Sequence, residues 1–119
     1  MRRLLLVLLV AALPSPGLSP KTKRRLTFAA VAAAQMLDLH SSLGRQEGNP
    51  LLRGPNGRFA AGRGVGVKLG ILSGLLAAQE LRPAPYWNWV NVTYAGASAT
   101  IAVRNYRVSK PPEYLRPAR

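Results

Sequence analysis

The chain has 119 residues, enough for one small domain, and 17 Lys and Arg stand against 4 Asp and Glu for a net charge of +13. It contains no cysteine, which excludes disulfides, thiolate catalysis and thiolate metal sites, and its single histidine excludes a multi-histidine metal centre within one chain. Nearly half of the residues are hydrophobic, and the basic residues lie mostly between apolar runs, as membrane topology produces. A basic nucleic-acid binder, which needs its cations on folded elements, is the lesser alternative, and no nucleic acid is expected as a partner.

Residues 1 to 20 have the form of a secretory signal. Arg2 and Arg3 make the n-region, Leu4 to Leu13 an apolar h-region, and Pro14 and Pro16 break the helix. Ten apolar residues are too few to span a bilayer, which needs about 20. Cleavage is expected near Ser15 and Gly17, although no A-x-A is present.

Three longer segments follow, at 26–44, 65–81 and 86–103. At about 1.5 Å per residue each reaches roughly 25 to 28 Å, close to the hydrocarbon thickness of a membrane. Their apolar content is broad rather than confined to a stripe, which disfavours a soluble amphipathic helix. The expected fold is therefore an all-α membrane protein with a three-helix transmembrane domain over residues 21–107. A basic, proline-rich tail over 108–119 completes the chain.

The first segment carries Gln35, Asp38, Ser41 and Ser42. At 100° per residue Val31, Gln35, Asp38, Ser42 and Arg45 share one face, with Ser41 at its edge and His40 nearly opposite. An aspartate at a helix centre costs about 2.5 to 3.5 kcal/mol to insert, so this stripe should turn inward and find partners. Ser41 and Ser42 are placed to bond back to carbonyls one turn earlier, or to Asp38. Gly44 ends the segment. Glu47, Gly48, Asn49 and Pro50 then form a turn, with Asn49 an N-cap and Pro50 the first residue of a short helix through Leu51 and Leu52. Those two, with Phe59 and Ala60, suit the membrane interface. Glu47 is expected to fold back on Lys68 or Arg45.

The second segment holds Gly66, Gly70 and Gly74, a small-residue ridge that Ser73 and Ala77 extend, which predicts helix packing. Lys68 lies four residues in and is within reach of Asp38 or Glu47, the alternative being that it snorkels to the headgroups. The link Arg82-Pro83-Ala84-Pro85 makes the second and third segments an antiparallel hairpin, and Tyr86, Trp87 and Trp89 suit an interfacial aromatic belt. In the third segment Asn91, Ser98 and Asn105 recur every seven residues on one face and should hydrogen-bond across helices. The sequon Asn91-Val92-Thr93 lies at a membrane edge and carries no information about glycosylation.

Asp38-x-x-Ser41, Glu47-x-Asn49-Pro50, Lys68 early in the next segment and Asn105 at the end of the last resemble a family of small, uncharacterised bacterial multi-helix membrane proteins. The resemblance covers roughly residues 26–107. It implies three spans and weight on Asp38, Glu47, Asn49, Pro50, Lys68 and Asn105, but no activity.

With three spans, the linker and tail side collects Arg45, Arg53, Arg58, Arg63, Arg104, Arg107, Lys110, Arg116 and Arg119. The other side has Lys21, Lys23, Arg24, Arg25 and Arg82. The positive-inside tendency then puts the C-terminus in the cytoplasm, in a bacterial inner membrane, with the 21–25 cluster pulling the other way. The expected role is a non-enzymatic structural or assembly component without cofactor or metal. Its partners would be the lipid bilayer and a membrane protein or a second copy. The alternative is a small transporter or proton-linked channel subunit using Asp38 and Lys68. A lipid-directed enzyme is disfavoured, because His40 faces away from Asp38 and no metal-ligand set is visible.

Overall fold

The computed structural model describes residues 17–108, and these form three α-helices with no strand. The signal segment up to residue 16 and the tail from 109 lie outside the described residues.

Helix α1, Pro20–Ser42, starts six residues before the apolar segment. Ser19 is its N-cap, its Oγ accepting from the Thr22 N–H at 3.2 Å, and Pro20 sits at a position whose N–H would be unsatisfied anyway. The apolar run marks where α1 leaves charge behind, and its helical turns begin earlier. At the other end Ser41 and Ser42 both donate to the Asp38 carbonyl, at 2.8 and 2.9 Å, and Gly44 takes a left-handed φ of 72°. That is the back-bonding expected of these serines, followed by a glycine stop.

Helix α2, Ala61–Leu81, and helix α3, Tyr86–Arg107, follow, joined by the predicted two-proline turn. Both outrun their apolar segments, since Arg63 and Arg107 are helical too. Arg104 and Arg107 sit in the last turn of α3, where cations complement the helix dipole. Among the described residues α2 is the one helix long and apolar enough to cross a membrane.

The closest helix pairing is α1 with α3, and α2 stands further off. Side-chain bonds from α1 to α3 run 27 to 91, 35 to 98 and 41 to 105, so the two helices are parallel at an offset of 63 or 64 residues. Thr27, Val31, Ala34, Asp38 and Ser41 on α1 face Asn91, Ala95, Ser98, Ala102 and Asn105 on α3. Both rows step by four and three residues alternately, the spacing of helices packed knobs into holes at a shallow angle. The apolar part of this seam, Ala30, Val31, Ala34, Ala95 and Ala99, is small enough for close approach, with Leu72 and Leu75 of α2 packed on it. The α2 bonds run 68 to 35 and 38, then 79 to 91, so α2 is antiparallel to both.

The linker 43–60 folds as a compact loop. Asn49 does not cap a helix here. Its Oδ1 accepts from the Leu51 N–H at 3.0 Å and its carbonyl from Leu52 and Arg53, closing a single turn. Phe59 is buried against Gly64 of α2, where an added Cβ would overlap the ring.

Candidate functional site: a polar seam between the helices

The inward face of α2 is the row Gly64, Lys68, Leu72, Leu75 and Gln79, spaced by four, four, three and four. Lys68 and Gln79 stand three turns apart on it, and each reaches a polar cluster between α1 and α3.

At the first cluster the Lys68 Nζ donates to Asp38 Oδ2 at 2.6 Å and to Gln35 Oε1 at 2.7 Å. The ion pair is well shielded, with side-chain exposures of 13% and 16%. Gln35 is buried and passes a short hydrogen bond from its Nε2 to Ser98 Oγ. A chain of bonds therefore crosses all three helices, from Asp38 through Lys68 and Gln35 to Ser98. Asp38 Oδ1 has no hydrogen-bond partner among the described residues. One turn further, Asn105 donates to Ser41 Oγ at 3.1 Å and to Ser42 Oγ at 3.4 Å. His40 bonds Tyr106 on the exposed side of the α1–α3 seam, away from Asp38.

At the second cluster Gln79 and Asn91 form a closed amide pair, with Gln79 Nε2 donating to Asn91 Oδ1 at 2.8 Å and Asn91 Nδ2 to Gln79 Oε1 at 2.9 Å. Asn91 also donates to Thr27 Oγ1 at 3.0 Å, and Thr27 to the Arg24 carbonyl at 2.9 Å. Gln79 and Asn91 are fully buried, so every bond matters to the cost of holding these amides out of water. Arg24 reaches Glu80 at 3.5 Å beside them.

Thus Gln35, Asp38, Ser41, Ser42, Lys68, Asn91, Ser98 and Asn105 are brought into contact across the helices. Glu47 and Asn49 are not. Glu47 pairs with neither Lys68 nor Arg45. Its Oε1 accepts from the Asn49 N–H at 2.8 Å, and Arg45 bonds the Ser41 and Val108 carbonyls. The linker turns away at Gly44, and Lys68 is already taken by Asp38. Gln79, Thr27 and the Arg24–Glu80 pair were not singled out from the sequence. The spacing of Gln79 from Lys68 was the available signal.

Gly66, Gly70 and Gly74 lie on the opposite face of α2, and a Cβ added at any of them meets nothing within 4 Å. No described helix of this chain lies against that ridge. Turning it inward would leave Lys68 and Gln79 outside the polar clusters, and unpaired polar groups in an apolar setting cost more than close backbone contact returns. Among the described residues no group of three His, Asp or Glu side chains is placed to hold a metal.

Comparison with known proteins returns no match to a family model, to a curated protein or to a solved structure.

Proposed function

We propose that the chain is a small integral membrane protein of three spans, acting as a structural or assembly component with the polar seam as its internal glue. One observation carries this reading: among the described residues, polar side chains share the interior with small apolar ones while large apolar side chains face outward. Of its largest fully buried side chains, Gln79, Val31, Asn91 and Thr27, three are polar, while Met36, Leu69, Ile71, Leu76 and Ile101 are exposed. In water that distribution is costly on both counts. In lipid, outward leucines are solvated, and small residues with interhelical hydrogen bonds are what hold helices together. The mean hydropathy of α1 and α3 is lowered by inward residues such as Gln35 and Asn91 and also by exposed cations toward the helix ends, Lys21, Arg25, Arg104 and Arg107.

The absence of native cysteine makes the test direct. Single cysteines replacing Met36, Leu69 or Leu76 should resist a water-soluble maleimide in intact membranes, while cysteines at Asn56 and Ala84 should label from opposite sides. Labelling of the Leu69 and Leu76 positions as fast as Asn56 would overturn the spans. C-terminal reporter fusions then fix orientation, which the basic-residue count puts at C-terminus inside. Co-purification of a constant membrane partner, or a second copy, supports the assembly role.

A second reading has one observation in its favour. Asp38 keeps a carboxylate oxygen without a partner beside a shielded lysine, and intramembrane ionisable groups are a mark of ion and proton pathways. A proton-linked role predicts a carboxyl infrared band that changes during turnover and is absent in Asp38→Asn. A transport-silent Asp38→Asn variant that accumulates normally would move the assignment to that reading.

A further inference from the structure

At the end where α1 begins and α2 turns into α3, the helices line a partly open cavity of about 350 Å³. Lys23, Arg24 and Asn88 supply its polar wall, and Pro83, Pro85, Trp89 and Val92 are among its apolar lining. Because α1 and α3 are parallel, both N-termini open at this level. Pro20 and Pro85, which stand at those two termini, line the same cavity, and α3 has no side-chain cap. Two positive dipole ends therefore add to the two cations. Arg24 is nine-tenths buried, yet its Nε has no partner among the described residues and its one ion pair, to Glu80, is long at 3.5 Å. Nε itself is covered, so what the wall offers a phosphate oxygen is the charge of a guanidinium that is otherwise met only by that long ion pair.

We infer that this cavity binds the phosphate-bearing headgroup of an anionic phospholipid. Arg24 and Lys23 would hold the phosphate, while Trp89 and Val92 would lie along the glycerol and upper acyl region. The inference rests on the membrane reading above. The lipid is favoured over a free anion because the wall is mixed. Trp89 is both part of it and 67% exposed, placed as tryptophans are at the level of the headgroups.

The full chain carrying Trp87→Phe leaves Trp89 as its sole tryptophan. It would be reconstituted in phosphatidylcholine vesicles containing either brominated phosphatidylcholine or brominated phosphatidylglycerol at equal fraction. Stronger quenching of Trp89 by the brominated phosphatidylglycerol supports the site. Lys23→Gln and Arg24→Gln should each lower that preference about fivefold, while Arg25→Gln, an exposed change of the same charge, should leave it unaltered. Circular dichroism shows whether Arg24→Gln still folds, and Lys23→Gln, at a side chain with no hydrogen bond or ion pair among the described residues, tests the site independently. Equal quenching by both lipids, or an equal fall with Arg25→Gln, overturns the site while leaving the spans standing. Quenching by neither overturns the membrane reading and the site with it. Inorganic phosphate that abolishes the preference at fixed ionic strength would assign the cavity to a soluble anion and overturn the lipid assignment.

Discussion

Replacing Asn91 with leucine keeps the branching of the side chain, adds bulk, and removes every polar atom. The cost falls on Gln79, whose Nε2 and Oε1 are both bonded to Asn91 at 2.8 and 2.9 Å and which is 1% exposed. No other partner for Gln79 exists among the described residues, so one substitution orphans a buried donor and a buried acceptor. Orphaned groups in a protein interior cost about 1 to 3 kcal/mol each. Interhelical hydrogen bonds measured in membranes average nearer 0.6 and reach about 1.7 kcal/mol, because the unfolded helices find other partners. The two bonds lost to Gln79 at a fully enclosed site, with the Thr27 bond lost beside them, place Asn91→Leu at about 2 kcal/mol or more. Gln79→Leu alone should cost a similar amount. The double variant should recover at least about 1 kcal/mol, because nothing is then left unpaired. Equilibrium unfolding in mixed micelles, followed by circular dichroism, measures all four corners of the cycle. A single variant within about 0.5 kcal/mol of the parent, or strictly additive losses, would show that the amide pair does not hold α2 to α3.

Asp38→Asn and Lys68→Met should each reduce the folded fraction, and the double change should restore part of it, with coupling on the order of 1 kcal/mol in the same unfolding assay; additivity would separate the two side chains. Gly64→Ala and Gly70→Ala should have opposite signs: the first overlaps Phe59 and loses about 1 kcal/mol net of its helix-propensity gain, while the second gains up to about 1 kcal/mol at an open position. Gly70→Leu, at the same open position, should not lower the unfolding midpoint of the isolated chain and should raise it as Ala does, so any loss of cross-linking in membranes would report a partner helix on that ridge. Glu80→Gln should shift stability by no more than about 0.5 kcal/mol, because Glu80 is 41% exposed and its bond to Arg24 is long; a larger loss in the same assay would mean that Arg24 depends on it.

Three helices and the proline turn were legible because apolar length and punctuation are local properties. So was the inward face of α1, where Asp38, Gln35 and Ser42 share a stripe, and that of α3, where Asn91, Ser98 and Asn105 recur every seven residues. The orientation of α2 was less legible, since the helix has two competing faces. Its glycines advertise close packing, whereas Lys68 and Gln79 need partners, and the choice between them depends on what α1 and α3 offer across the gap. The start of α1 was hidden for another reason. Ser19 and Pro20 are good N-cap and first-turn residues, but they follow an apolar run that resembles a leader and so were assigned to it. Glu47 misled because an acid near a lysine in sequence order need not be near it once Gly44 has turned the chain.

The offset of 63 or 64 residues between α1 and its parallel partner has a consequence in time. A chain emerges at about 5 to 20 residues per second, so Thr27, Gln35 and Ser41 would be made roughly 3 to 13 s before the residues of α3 that receive them. During that interval α1 holds an aspartate and an amide with nothing from α3 to answer them. Lys68 arrives sooner, 30 residues after Asp38, so a partner for the charge is made before α3 is. In the three-span reading, chains arrested with α2 but not α3 released should already be retained in the bilayer, and Lys68→Met should let those arrested chains slip out while sparing completed ones. Equal retention of both arrested forms would show that α1 waits unaided.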